Sequence, residues 1–144
     1  MEIVDLPDHI HEYTNSYLHL WVDRNVKFMY TEWLALPSAT EYRKAAALFL
    51  LHLQEYEVEY WFMDSNRLVG LSLHEQKKVI KQLAPAVAAS RLKKIARIIS
   101  QDENNMVMFE ETVSELKNKY QAVVEVKQFW NFNEAANWIM MIRA

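Results

Sequence analysis

The sequence predicts an α/β protein with a mixed sheet: an N-terminal β-hairpin, then alternating α and β units, with helices on both faces. Three observations carry this reading. Residues 16–34 alternate apolar and polar positions with the period of a strand on either side of a turn. Two Ser-x-x-Glu sequences stand just ahead of apolar residues spaced three and four apart, the mark of a capped helix. Short apolar runs, chiefly Val58–Met63, lie directly between helical segments. A strand entered from one helix and left into another needs parallel neighbours and buries both faces.

In chain order, residues 1–8 read as a lead-in and Ile10–Thr14 as a short edge strand. Ser16–Val22 places Leu18, Leu20 and Val22 on one face and Tyr17, His19 and Trp21 on the other. Asp23-Arg24-Asn25 is turn chemistry, and Val26–Leu34 returns as a second strand rich in aromatic and β-branched residues. Pro37 and Ser38 end it. Ser38-Ala39-Thr40-Glu41 opens a helix to about Glu55 with Tyr42, Ala46, Phe49, Leu53 and Tyr56 on its apolar stripe. Val58–Met63 is then the central strand. Ser72-Leu73-His74-Glu75 is a second capping box, and its helix should kink or restart at Pro85. Leu92–Ser100 fits helix or strand; its β-branched run and its place between helices favour strand. Asp102–Asn105 caps a third helix striped by Met106, Phe109, Val113, Leu116 and Tyr120. Ala122–Phe129 is the last strand. Asn131 through Glu134 cap a closing helix with Ala135, Trp138, Ile139 and Ile142 on its stripe.

The 144 residues suit one domain, and 51% apolar content excludes a disordered chain. One glycine and three prolines imply few tight turns, which argues against a many-stranded sandwich. With no cysteine there is no disulfide, thiolate metal site or cysteine nucleophile. The opening MEIVDLPDHI is acidic and lacks the form of a signal peptide, and Ala45–Leu53 is too short to span a bilayer. A cytoplasmic location is the expectation.

The net charge is −3 but uneven. Lys77, Lys78, Lys81, Arg91, Lys93, Lys94 and Arg97 fall in a stretch without an acid, leaving 9 basic residues against 19 acidic elsewhere. Such a stripe reads first as a solvated face and second as a site for an anionic partner; nucleic acid is not expected.

Enzyme motifs are missing. There is no G-x-S-x-G, P-loop, G-x-G-x-x-G or H-E-x-x-H. His9 and His11 share a face if their segment is a strand, but nothing brings His19, His52 or His74 to them as a metal site would require. No cofactor, no metal and no conventional catalysis are expected.

The remaining candidates flank the central strand. Asp64 reads as a ligand contact or as the cap of an Asx turn at Ser65-Asn66. Arg67 reads as a partner for Asp64 or for an outside anion. Ser65, right after the strand, and Ser72 are candidate switch hydroxyls: phosphate on Ser72 would sit at a helix N-terminus, a good place for an anion, and Ser72 is also explained as an N-cap. Trp21, Trp33 and Trp61 mark an apolar pocket or interface. Aromatic stripes are usually core, but five tryptophans in 144 residues put some at a pocket mouth or subunit contact.

The element order and several short stretches together resemble a known family. These are a hairpin ending in MYTEW, a capped helix with TEYRKAA, the strand WFMD, a helix leading through Pro85 to KKIARII, and a last strand followed by FNEAANWI. Residues 10–142 thus resemble the small STAS domains, the fold of bacterial anti-sigma-factor antagonists, in the SpoIIAA-like (STAS/SEC14-like) branch. The resemblance implies a regulatory domain in which a serine at the start of the helix after the central strand is phosphorylated and switches partner binding. Asp64-Ser65 and Ser72 match that place, but neither serine is followed by the family's glycine, and Ser72 lacks the preceding acid.

Three functions are carried forward. The first is a non-enzymatic regulatory or protein-interaction module that docks a partner or self-associates, as a homodimer. The second is a small carrier of an apolar or lipid-like ligand, and the third a binder of an anionic partner through Lys77–Arg97.

Overall fold

The computed structural model describes residues 8–100 and 102–141. Residues 1–7 of the expected lead-in, and Ile142 of the expected last stripe, lie outside the described residues.

The elements run β1 (Ile10–Thr14), β2 (Leu18–Asp23), β3 (Phe28–Trp33), α1 (Ala39–Glu55), β4 (Tyr60–Asp64), α2 (Leu73–Ala88), β5 (Lys94–Ile98), α3 (Glu103–Tyr120), β6 (Glu125–Phe129) and α4 (Phe132–Met140). A short 3₁₀ turn, Asn66–Leu68, follows β4. The six strands form one sheet in chain order, with β1–β2–β3 antiparallel and β3–β4–β5–β6 parallel. It is the mixed α/β architecture expected.

The faces follow from this order. Every crossover from β3 onward steps to the next strand in the same direction, so right-handed connections all pass over one face. Accordingly α2 packs on both α1 and α3, whereas α4 contacts β4, β5 and β6. Helices do lie on both faces, three on one side and α4 on the other.

Strand alternation sorts the core into two layers. Leu18, Leu20, Val22, Met29, Trp33, Trp61 and Ile95 face the three helices and meet Ala45, Phe49 and Leu53 of α1. Phe62, Ala96, Ile98 and Phe129 face the other way, against Ala135 and Ile139 of α4. Each such large apolar side chain contributes about 1.5–3 kcal/mol by leaving water.

The caps form as spelled in the sequence, with two differences. Ser38 and Glu41 close a reciprocal capping box at α1. At α2 only half a box forms: Ser72 Oγ accepts the Glu75 backbone N–H at 3.3 Å, while the Glu75 carboxylate pairs with Arg43 at 3.2 Å instead. The Arg43 guanidinium on α1 adds a full positive charge to that bond, which the backbone N–H of Ser72 does not. The second difference is Pro85, which neither ends nor restarts α2; the helix runs through it to Ala88. It sits in the last turn on the exposed side, so only the bond to the solvent-side Lys81 carbonyl is lost.

Replacing Ser72 with Ala should cost about 1 kcal/mol, the usual value of an N-cap. Urea denaturation checks it; an unchanged midpoint would show that the hydroxyl does not cap α2.

Candidate functional site

The site grows from what α2 and α3 fail to fill. On α2, Val79 is buried, but Ile80, Leu83 and Val87 of the same stripe are only half-buried, and Ala84 and Ala88 are too small to close the gap. Across from them Phe109 is buried and Val113 half-buried on α3. The result is an almost wholly apolar cleft of about 100 Å³ between the two helices, floored by Trp61 of β4, Ile95 of β5 and Val126 of β6.

The inner end of this cleft adjoins a second space of about 40 Å³ toward the C-terminal ends of β4 and β5. Trp61, Met63, Ile80, Leu83 and Phe109 line both. Ser65, Arg97 and Tyr42 line only the inner one, together with Trp33 and Phe49. One space is greasy throughout; the other ends in three polar groups. Outside the C-terminal ends of parallel strands is where open α/β sheets bind ligands.

Arg97 dominates the inner end. It is 1% exposed, on the helix-facing side of β5. Its Nη1 donates to Gln128 Oε1 at 2.8 Å, from the residue paired with it on β6, and its Nη2 to Asn105 Oδ1 at 2.7 Å. Both amides pass the chain on: Asn105 donates to Gln76 Oε1, Gln76 to the Leu71 carbonyl, and Gln128 to the Met106 carbonyl. The guanidinium also lies 4.2 Å over the Phe109 ring. Burial pulls the Arg97 pKa down to about 10, so the group remains a cation at neutral pH. Burial likewise pushes the Tyr42 hydroxyl up to about 12, with Arg97 opposing, so the phenol keeps its proton.

The sequence candidates are dispersed. Ser65 belongs to the inner space: it is 1% exposed, its backbone N–H bonds to the Ile98 carbonyl, and its Oγ has no hydrogen-bond partner. Asp64 caps the turn, with Oδ1 accepting the Asn66 N–H at 3.1 Å. Arg67 is exposed and reaches the Leu34 carbonyl at 3.4 Å. Ser72 is exposed and caps α2.

Trp33 and Trp61 are core residues, 4% and 2% exposed, because each points inward from its strand. Trp61 Nε1 donates to Thr31 Oγ1 at 2.9 Å. Trp21 points the other way and is half-buried beside Phe28 and Tyr30. It borders an open apolar groove of about 290 Å³ with Phe62, Phe132 and Met140.

The basic stretch does not make one face. Lys81, Arg91 and Lys93 pair with Glu115, Glu57 and Glu59, Lys94 lies 4.7 Å over the Trp138 ring, and Arg97 is buried; Lys77 and Lys78 are exposed.

Two histidines meet away from the cleft. His52 Nδ1 donates to the Leu48 carbonyl at 2.8 Å, which leaves its Nε2 to accept from His11 Nε2 at 3.1 Å. Burial first, then the neighbouring His52 and Arg24, hold the His11 pKa below its ordinary 6.5, with Glu55 opposing. A base depressed in the fold binds its proton more readily when unfolded. Its stabilising share is therefore full above pH 6.5 and is lost as pH falls below that value toward the folded pKa. Urea melts at pH 7.5 and 5.5 should show a smaller acid loss in a His11→Gln variant than in the native chain; equal losses would contradict it. Among the described residues no group of three ligating side chains converges, and no helix is long and apolar enough to cross a membrane.

Gln76 and Asn105 are not legible as site residues, Tyr42 is legible only among the aromatics of an apolar stripe, and Arg97 only within the basic stretch read as an anion site, yet one signal sets Arg97 apart. Arg97 interrupts the apolar run Ile95–Ile99 of a strand buried on both faces, where a charge is seldom left without a purpose. Gln76 lies three residues before Val79 and Asn105 four before Phe109, so both sit on apolar stripes. No family model, curated protein or solved structure matches the chain.

Proposed function

We propose that this chain is a non-enzymatic ligand-binding module of the SpoIIAA-like STAS type that carries a small apolar ligand between α2 and α3. One observation carries the reading: an apolar cleft of about 100 Å³ that leads inward to a further space with polar groups at its end. An engineered cavity of about 150 Å³ holds benzene, so the two spaces suit a compact molecule over a long lipid chain. The element order supports the family assignment.

Toluene titrated into the full chain should change the tryptophan fluorescence saturably, since Trp61 floors the cleft. An Ala84→Phe variant, which fills the cleft from α2, should remain folded and lose the response. A response equal in both, or none in the native chain, would sink the reading.

A second reading, self-association through the opposite face, has its own support. Among the described residues α4 is the only helix on that side and packs on β4–β6, leaving Trp21, Phe28 and Tyr30 beside the exposed Phe132 and Met140. A second copy of this chain is the occupant proposed. Sedimentation should then show a dimer that Met140→Asp weakens at least tenfold; a monomer throughout the micromolar range would exclude it.

A further inference from the structure

The inner end of the cleft holds a buried cation that no carboxylate contacts; Asp102, at the start of α3, acts on it only from beyond ion-pair distance. Of the five guanidinium N–H groups of Arg97, the two in its hydrogen bonds go to neutral amide oxygens. Among the described residues no carboxylate lies within ion-pair distance of it. A buried cation without a counter-charge is costly, and native folds normally pair it. Ser65 Oγ faces the same space, buried and without a partner, although buried polar groups are almost always bonded. The Tyr42 phenol lines it too and keeps its proton. Three donors surround about 40 Å³, with no acidic side chain on its lining.

Resting on the ligand-binding reading above, we infer that the ligand is a compact monocarboxylic acid: its carboxylate lies against Arg97 and Ser65, and its aryl or short branched body lies between α2 and α3. The carboxylate supplies a counter-charge in contact with Arg97 and accepts a hydrogen bond from the Ser65 hydroxyl. Its planar pair of oxygens matches a guanidinium fork. A phosphate would bring close to a second negative charge against the single cation on this lining. The apolar cleft accounts for the rest of the molecule, since its lining offers almost nothing polar.

The test uses the full chain at pH 7 and tryptophan fluorescence, with phenylacetate, its uncharged analogue phenylacetamide, inorganic phosphate and toluene as probes. Phenylacetate should bind at least tenfold tighter than phenylacetamide. Ser65→Ala should reduce that ratio several-fold and leave toluene binding unchanged. Arg97→Met should abolish the ratio; should it fail to fold, the serine variant still decides the matter. Equal binding of acid and amide, a ratio untouched by Ser65→Ala, or phosphate bound more tightly than phenylacetate would overturn the inference. If toluene still binds the native chain in those cases, the apolar cleft stands and only its head-group assignment falls. No response to any probe would overturn both.

Discussion

Replacing Arg97 with Ala should destabilise the protein by about 3 kcal/mol. The guanidinium ties β5 to Asn105 of α3 and Gln128 of β6, and through Asn105 to Gln76 of α2. Its loss strands the buried amide oxygen of Asn105, at about 1–3 kcal/mol, and the half-buried one of Gln128 at less, and opens a cavity under Phe109. Removing a desolvated charge offsets part of this, which keeps the figure from being larger. Equilibrium urea denaturation measures the difference, and Arg97→Lys should fall between the two. Unchanged or increased stability in Arg97→Ala would mean that the uncompensated charge outweighs the network it anchors. The structural role assigned to it would then be wrong.

Trp61→Ala carries the largest expected loss, about 4 kcal/mol. Trp61 is 2% exposed and packs edge-on against Phe49 of α1 at 5.4 Å between ring centroids. Its Nε1 also serves the buried Thr31 hydroxyl of β3. Truncation removes the floor of the cleft and orphans that hydroxyl. Trp61→Phe keeps most of the packing and isolates the hydrogen bond, at about 1–2 kcal/mol. A loss below about 2 kcal/mol for the alanine variant would place Trp61 in a site that collapses readily, at odds with a core residue.

These two residues show how far the sequence could be read. Period-two alternation placed Leu18, Leu20 and Val22 inward and Trp21 outward, and the structure agrees, because a strand's faces follow from local geometry alone. Capping chemistry located the starts of α1, α3 and α4 for the same reason. The boundaries erred outward: Ala122–Phe129 pairs only from Glu125, since the chain first leaves α3 through a left-handed Gln121.

Long-range facts were less legible. Trp61 read equally well as core or pocket because its environment is set by α1 and by Thr31 thirty residues away. In the sequence Arg97 reads with Lys77–Lys94 as a solvated face or as an anion site on the surface. Its burial follows from β5 lying between β4 and β6 beneath α3, which no local pattern announces. Ser65 was singled out for phosphate, a role that suits an accessible hydroxyl. The fold instead turns it inward at the end of β4, onto the same space as Arg97. Ser72, the other candidate, spends its hydroxyl on the helix.

The most direct measurement is a methyl NMR titration of the full chain with phenylacetate, following Ile80, Leu83, Val87 and Val113 together with the Arg97 side-chain N–H signals. Saturable shifts are expected in those cleft methyls and at Arg97, with the methyl of Met140 on the opposite face unmoved. Shifts confined to the Met140 side, or none at millimolar phenylacetate, would contradict the ligand assignment.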